Sequence, residues 1–293
     1  MSKHLVFIAS GGRTGTTFFG DLIGQAIDDA YSEHEPDLFA GFTSLTMERI
    51  SRYGFKHMIT DRALGLSGMR SLGMRFMTGS LSLEDAKSKL HASRAKFHKG
   101  IEENLVIESY GRWWMFAHAM DDLFPGSKMV GVVRDPRSWI GSWMSYHPAM
   151  GYVPWTHRFP PGPITPAKLG DTKNASRWKE IGPIGRLAWH WNLLNSQLLN
   201  AAQQRENAKI FKFEDLFSGE DKPLEELTEF VTTFPDKKYT VKDIAPLRSP
   251  PRNSSAQKKG DWEAWSDADR ALVNDICGET MQACGYDPLP MNG

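Results

Sequence analysis

The sequence predicts an α/β fold, a three-layer sandwich in which helices flank a central, mostly parallel sheet. Short apolar runs typical of buried strands recur along the chain, and helix-compatible sequence separates each run from the next. The predicted strands are Leu5–Ser10, Asn104–Ser109, Lys128–Arg134 and Ala208–Phe213. With 293 residues the chain is long enough to bury a sizeable apolar core, and we interpret residues 1–293 as a single domain.

Other segments have the periodicity or the end signals of helices. They are Thr16–Asp29, Ser82–His98, Pro136–Tyr146, Ile184–Arg205 and Ala268–Cys284. Pro136 is at a first-turn position, where proline is tolerated because an N–H would have no helical partner there. Ser82 begins a capping-box-like sequence, and Gly285 follows the last segment as a predicted C-terminal cap.

The composition excludes several functional classes. Lysine plus arginine and aspartate plus glutamate each number 35, so no overall field attracts nucleic acid or an anionic membrane. No segment approaches the roughly 20 apolar residues of a membrane span, and the apolar run Leu5–Ala9 is too short for a signal peptide. We therefore expect a cytoplasmic protein without a nucleic-acid partner. Cys277 and Cys284 are spaced too widely along a helix for a disulfide, so we expect reduced core thiols.

Residues Ser10–Phe18 form a glycine-rich loop between a predicted strand and a predicted helix. A strand, a glycine turn and a helix start in this order make a phosphate cradle, as in P-loop NTPase-like folds. The lysine of a P-loop is missing, however, and Arg13 supplies a fixed charge instead. Gly15 allows close backbone approach, and Thr16 and Thr17 add hydroxyl donors. The alternative is a glycine-rich turn in which a threonine caps the helix.

A second candidate anion site follows the third predicted strand. Arg134 ends that strand, Pro136 opens a helix, and Ser142 lies about two turns along it. A guanidinium and a hydroxyl in this arrangement can hold a second phosphate. Alternatively, Asp135 is the capping acid of an ordinary helix start. Open α/β sheets bind ligands at the carboxyl ends of their strands, so two anion sites there support each other.

The two motifs, in this order and with an arginine in the first loop, resemble those of the PAPS-dependent sulfotransferases, whose donor is 3′-phosphoadenosine 5′-phosphosulfate. The likeness is to bacterial and carbohydrate-type members rather than to the animal cytosolic type. In this family the first loop binds the 5′-phosphosulfate, and Thr14 replaces its usual serine. The implied donor contacts are Arg13, Thr14, Gly15, Thr16, Thr17 and Phe18. An arginine and a serine eight residues later bind the 3′-phosphate in the family, and Arg134 and Ser142 match that pair.

Two C-terminal segments also resemble the family. Phe211–Leu216 is similar to its Tyr-Glu-Asp-Leu segment, with Phe213 in place of the tyrosine. The sequence Lys-Lys-Gly-Asp-Trp at 258–262 is similar to a loop that closes over the 3′-phosphate. The resemblance therefore implies a donor-covering loop at 248–262. Its implied donor contacts are Lys258 or Lys259, and Gly260.

The stretch 148–183 is rich in proline and carries aromatic side chains. Long irregular segments of this kind are commonly functional, so we expect an ordered loop that covers the acceptor pocket. Its candidate acceptor-binding residues are Trp155, His157 and Phe159.

The acidic segment Ser32–Asp37, just beyond the first predicted helix, holds the candidate bases. Sulfuryl transfer needs a base near the acceptor proton, because a neutral hydroxyl is a poor nucleophile. Many family members place a glutamate about twenty residues after the basic residue of the first loop, which implies Glu35 here. We favour Glu35 because Pro36 after it predicts an extended backbone. His34 is the alternative base, and a solvated acidic loop is the alternative to both.

Glu108 closes the second predicted strand, where other family members carry a catalytic histidine or a Lys-Thr/Ser pair. This difference puts a histidine mechanism at that position in doubt. Glu108 is a candidate for acceptor binding, for assistance as a base or for a magnesium ligand. An ion pair with Arg112 or Arg13 is an equally good interpretation.

The resemblance implies an enzyme that moves the sulfuryl group from PAPS to a hydroxyl, less often an amine. The implied acceptor is a small molecule, a glycan or a lipid, and the implied second product is PAP. We expect no metal requirement, because Arg13 supplies the charge. The histidines show no metal-binding spacing. The alternative is a magnesium-dependent nucleotide or small-molecule kinase with Glu108 on the metal, against which the missing Gly-Lys-Ser/Thr sequence counts.

Overall fold

A computed structural model describes residues 3–39, 41, 43–146, 162–248 and 262–291. The strands are β1 (His4–Ser10), β2 (Ala30–His34), β3 (Leu105–Ser109), β4 (Lys128–Val133) and β5 (Ala208–Lys212). They form a parallel sheet in the order β2-β3-β1-β4-β5. The predicted α/β class is confirmed. All the strands end at one edge of the sheet, and both candidate anion motifs follow strands at that edge.

Helices connect the strands. The α-helices are α1 (Thr16–Leu22), α2 (Ser44–Tyr53), α3 (Asp61–Ala63), α4 (Met69–Met77), α5 (Leu83–His98), α6 (Met120–Leu123), α7 (Pro136–Tyr146), α8 (Thr172–Arg177), α9 (Gly182–Gln204), α10 (Phe213–Leu216), α11 (Lys222–Thr232) and α12 (Asp267–Ala283). The 3-10 helices are Ile23–Ala26, Gly111–Ala119, Pro166–Leu169, Ala245–Arg248 and Trp262–Ala264, and Lys56–Thr60 is a π-helical turn. No described helix combines the length and the apolarity that a membrane crossing requires.

The sheet separates two apolar clusters. Side chains alternate along β1, so that Phe7 and Ala9 join one cluster while Val6 and Ile8 join the other. The first cluster includes residues of α4, α5, α9 and α12, and the second includes residues of α1 and α11. Helices therefore cover both faces of the sheet, which confirms the predicted three-layer sandwich.

Each of the predicted strands is observed within one residue of its expected bounds, but β2 was not predicted. The first helix ends at Leu22, not at Asp29, and the chain then forms β2 at the sheet edge. All of β2 is only partly buried, so it lacks the continuous apolar run that marks a central parallel strand. Gly20 lets α1 approach β2, because a Cβ atom there would lie 2.5 Å from the His34 Cβ.

The later helices agree with the prediction. The hydroxyl of Ser82 accepts the Asp85 N–H at 3.1 Å at the start of α5, and Gly285 follows α12 with a φ of 72°. Cys277 and Cys284 are free and buried, as predicted. Within the predicted loop 148–183, the described residues from 162 onward include α8 and a 3-10 helix.

Candidate active site

The glycine-rich loop (Ser10–Phe18) leaves β1 and turns sharply before α1. Gly12, Arg13 and Gly15 have φ values of 67°, 56° and 77°, in the left-handed region. Turns of this kind make concavities in which successive backbone N–H groups can bind an anion. Arg13 adopts the conformation without the freedom of glycine, which costs about 1 kcal/mol or more. Such strain at a charged loop residue is typical of a functional site.

The two predicted anion motifs meet in the structure. Arg13 Nε donates a hydrogen bond to the Ser142 hydroxyl at 3.0 Å. Arg134 Nη1 donates to the backbone carbonyl of Arg13 at 2.7 Å. Two guanidinium groups, from the segments that follow β1 and β4, and a hydroxyl from α7 therefore share one site at the carboxyl edge of the sheet.

Two buried tryptophans hold this site together. Trp139 Nε1 donates to the Gly12 carbonyl at 3.0 Å, and Trp191 Nε1 donates to the Arg134 carbonyl at 2.8 Å. The spacing of Trp139 and Trp191 along their helices indicates apolar core positions and gives no sign of a hydrogen bond to a distant loop. Each indole N–H thus satisfies the carbonyl of a residue in one of the two anion motifs.

Two side chains contact the Arg134 guanidinium, and the sequence predicts these contacts only in part. Its Nε donates to the Ser138 hydroxyl at 2.9 Å, and its guanidinium lies over the Phe213 ring, 4.5 Å from the centroid. This contact is a cation–π interaction between the guanidinium and the aromatic face of Phe213. Within the described residues, Nη2 makes no hydrogen bond, so a guanidinium edge is available to an anion. The contact with Ser138 could have been predicted, because Ser138 lies four residues, about one helical turn, after Arg134.

Glu214 of α10 stabilises the chain beside Arg134, just after β4 ends. Its carboxylate accepts the Asp135 backbone N–H at 3.0 Å and the Tyr286 hydroxyl at 2.7 Å. Burial lowers the pKa of Arg134, and the charge of Glu214 opposes that change. The predicted Phe211–Leu216 segment thus lies beside the second anion motif.

The threonines and Phe18 of the glycine-rich loop differ in accessibility. Thr14 is buried, and its hydroxyl has no hydrogen-bond partner among the described residues. Thr16 is also buried, and its carbonyl accepts the Ser109 hydroxyl at 2.7 Å, while Thr17 is exposed. The Phe18 ring packs in the core, 4.9 Å from that of Phe217, so only its backbone can contact a ligand.

Glu35 and His34 lie where β2 ends, at the same edge of the sheet as the glycine-rich loop. His34 is in register with Ser109 of β3, and the Glu35 N–H donates to the Ser109 carbonyl at 3.0 Å. The two side chains are 21% and 19% exposed, with His34 Nε2 3.7 Å from Glu35 Oε2. They are therefore not part of a solvated acidic loop.

The backbone of Glu35 corrects one expectation. Its φ is 46°, in the left-handed region, although Pro36 after it favours an extended conformation. The hydrogen bond to Ser109 continues the sheet ladder, and the Glu35 carbonyl accepts the Leu38 N–H at 3.0 Å to close a tight turn. These two hydrogen bonds stabilise the left-handed conformation of Glu35 against the preference of a residue before proline for extended backbone.

Glu108 is in a buried ion pair with Arg94 of α5 and not with Arg112 or Arg13, the expected partners. Arg94 Nε donates to Glu108 Oε2 at 2.9 Å, and Arg94 Nη2 donates to the other oxygen. Glu108 is 1% exposed, and burial raises its pKa to about 7 against the opposing charge of Arg94. Both oxygens of the Glu108 carboxylate therefore accept hydrogen bonds from Arg94. Among the described residues, no group of three or more His, Cys, Asp and Glu side chains is arranged to hold a metal ion.

The remaining candidate residues lie outside the described residues. They are Trp155, His157, Phe159, Lys258, Lys259 and Gly260.

We expect buried His190 to make the stability of the protein depend on pH. Its ring stacks on Trp139, with the centroids 6.3 Å apart, and burial together with the charge of Arg112 lowers its pKa from 6.5 to about 3. The unfolded chain therefore binds a proton at pH values where the native state does not. We expect His190 to remove about 2 kcal/mol of stability between about pH 7 and pH 5. Urea unfolding of wild type and His190→Gln at both pH values measures this, and an equal loss in the variant would contradict it.

Solved structures with this architecture exist. The sulfotransferase domain from the Synechococcus PCC 7002 olefin synthase aligns with a TM-score of 0.52 and 16% sequence identity, covering 99% of this chain and 98% of that domain. The chain has the sulfotransferase fold. Two further sulfotransferase-fold structures align, the sulfotransferase domain from the curacin biosynthetic pathway (TM-score 0.49, 16% identity, 98% and 99% coverage) and a sulfotransferase from Alicyclobacillus acidocaldarius (TM-score 0.48, 15% identity, 98% and 98% coverage). No protein-family model and no curated protein sequence matches.

The predicted resemblance is thus confirmed at the level of the fold. At this sequence identity a shared fold assigns no residue roles. Any role for a residue of this chain must therefore be argued from its own geometry. The relevant geometry is the pair of hydrogen bonds that joins the Arg13 and Arg134 motifs at the carboxyl edge of the sheet.

Proposed function

We propose that the protein is a PAPS-dependent sulfotransferase that transfers the sulfuryl group to a hydroxyl, less often an amine, of a small-molecule, glycan or lipid acceptor. The observation that carries this proposal is the contact between two separate anion motifs on a sulfotransferase fold. Arg13 bonds to Ser142 at 3.0 Å, and Arg134 bonds to the Arg13 carbonyl at 2.7 Å. A donor with a phosphate at each end of its ribose needs two such motifs in one site.

The donor contacts divide between the motifs. The amides of the glycine-rich loop, the Thr16 and Thr17 hydroxyls and Arg13 bind the 5′-phosphosulfate. Arg134 and Ser142 bind the 3′-phosphate, and the Phe213 ring, 4.5 Å from the Arg134 guanidinium carbon, supports the guanidinium. Lys258 or Lys259, with Gly260, completes the 3′-phosphate site. Trp155, His157 and Phe159 remain proposed acceptor contacts.

The reaction is an in-line displacement at sulfur. The acceptor oxygen bonds to sulfur as the bond from sulfur to the bridging oxygen of the donor breaks, and that electron pair leaves with PAP. Glu35 takes the acceptor proton. Arg13 and the loop amides stabilise the charge that grows on the leaving phosphate, and one fixed donor of this kind contributes about 3 kcal/mol.

The experiment that tests the proposal is calorimetry with PAP and with ATP. We expect tight binding of PAP in the presence of a chelator, because the arginines supply the charge that a metal supplies in a kinase. Binding of magnesium-ATP without binding of PAP would replace the sulfotransferase with the kinase alternative. A screen of acceptors with radiolabelled PAPS then identifies the substrate.

Arg134→Met tests the 3′-phosphate contact. We expect PAP affinity to fall by about 10- to 100-fold, because a charge-assisted bond is lost, while affinity for adenosine 5′-phosphate stays unchanged. The matched control is Arg177→Met, since the Arg177 guanidinium bonds to Asp275 of α12 at 2.6 Å and not to either anion motif. An equal loss of affinity for both nucleotides would remove Arg134 from the 3′-phosphate.

A further inference from the structure

We infer that Arg49 and Arg62 are positioning residues that fix the proposed base, Glu35, by clamping the turn at 34–38. This inference rests on the proposed function, because it assigns a purpose to the geometry of Glu35. Neither arginine was singled out by the sequence, and neither lies in the donor motifs.

The turn at 34–38 needs outside support. Glu35 adopts a φ of 46°, which costs a residue with a side chain free energy, and it precedes a proline that disfavours folded backbone. Its own bonds, from Glu35 N–H to the Ser109 carbonyl and from Leu38 N–H to the Glu35 carbonyl, fix only part of the turn. Strained residues of this kind persist when their surroundings over-determine them.

Arg49 of α2 brackets the turn with one guanidinium. Its Nη1 donates to the Leu38 carbonyl at 2.5 Å, and its Nη2 donates to the His34 carbonyl at 3.4 Å. The two acceptors lie on either side of Glu35 along the chain. The side chain is buried, so these bonds are sheltered from water. A lysine has one nitrogen and cannot reproduce the fork.

Arg62 of α3 grips the middle of the turn, where its Nη2 donates to the Asp37 carbonyl. The Asp37 carboxylate is itself 1% exposed and lies 3.6 Å from both Arg94 and His57. Burial raises the pKa of Asp37, but Arg94, His57 and Arg62 together hold it well below its usual range. Arginines from α2, α3 and α5, together with His57 of the π-helical turn, thus lie against one turn that carries one candidate base.

The test is a double-mutant cycle between position 49 and position 35. Radiolabelled PAPS turnover is measured with water and with simple alcohols as acceptors, and PAP affinity is measured by calorimetry. We expect Arg49→Met and Arg49→Lys to lower turnover by about 100-fold, since a small misplacement of a catalytic group has that effect. PAP affinity should stay within about twofold of wild type. In a Glu35→Gln background, Arg49→Met should cause no further loss, because it acts only through Glu35.

Arg62→Met should behave like the Arg49 variants. The matched control is Arg52→Met, because Arg52 lies one turn along the same helix and bonds to Glu33 of β2 at 2.8 Å, outside the turn. We expect it to keep wild-type turnover. A full multiplicative loss in the double variant, a loss at Arg52 equal to that at Arg49, or wild-type turnover in Arg49→Lys and Arg62→Met would each overturn the inference.

Failure of the proposed function is a separate result. If the wild-type protein bound no PAP, that function would be wrong, and crystal structures of wild type and Arg49→Lys would still decide the positioning role. A displaced Glu35 carboxylate supports it, and an unchanged turn overturns it.

Discussion

Glu35→Gln is expected to lower turnover by about 10²- to 10⁴-fold, the range for loss of a general base, and to leave PAP affinity unchanged. The amide cannot accept the acceptor proton, but it has the shape of the carboxylate and preserves the turn. Steady-state turnover with radiolabelled PAPS and calorimetry with PAP measure the two quantities. Glu33→Gln is the matched control, because Glu33 lies two residues earlier and its carboxylate pairs with Arg52 at 2.8 Å.

His34 is the alternative base to Glu35, and its two ring nitrogens have different neighbours. His34 Nδ1 lies 3.1 Å from the Ser109 carbonyl, an acceptor, so Nδ1 carries the proton in that bond. The other nitrogen, Nε2, is 3.7 Å from Glu35 Oε2. Unchanged turnover in Glu35→Gln together with a large loss in His34→Gln would move the base role to His34.

Local patterns predicted most of the sheet because its central strands are apolar. β1, β3 and β4 are buried on both faces, and parallel strands of that kind appear as continuous apolar runs. β2 lies at the edge and is partly exposed throughout, so its polar sequence resembles a loop. The position of the candidate base could be predicted within a few residues, but its strand could not.

Contacts between distant elements explain the rest. Glu108 was expected to pair with Arg112 or Arg13, but its partner is Arg94, which a helix on the sheet face brings to it. No spacing in the sequence indicates such a pair. The same holds for the Trp139 indole on the Gly12 carbonyl and for the Phe213 ring under Arg134. The motifs identify which residues bind anions, whereas the packing determines which groups hold them in place.

The buried ion pair beneath the site should have a large effect on stability. Arg94→Met is expected to lower the free energy of unfolding by about 3–5 kcal/mol, because it leaves the carboxylates of Glu108 and Asp37 buried without their shared cation. Arg94 is 2% exposed, bonds to Glu108 and lies 3.6 Å from Asp37. Urea unfolding of both proteins measures the loss. Arg177→Met is the control, since Arg177 pairs with Asp275 at the surface, where a single ion pair contributes about 1 kcal/mol or less.

The pH dependence of that loss separates an electrostatic cause from a packing cause. Burial already raises the pKa of Glu108 to about 7, and removal of Arg94 should raise it further. The native variant then binds a proton that the unfolded chain releases, so its stability falls as the pH rises above the unfolded pKa of Glu108. We therefore expect the destabilisation by Arg94→Met to be smaller at about pH 6 than at about pH 8. A loss that is the same at both pH values would instead assign it to the lost contact with the Trp113 ring, which lies 4.8 Å from the guanidinium.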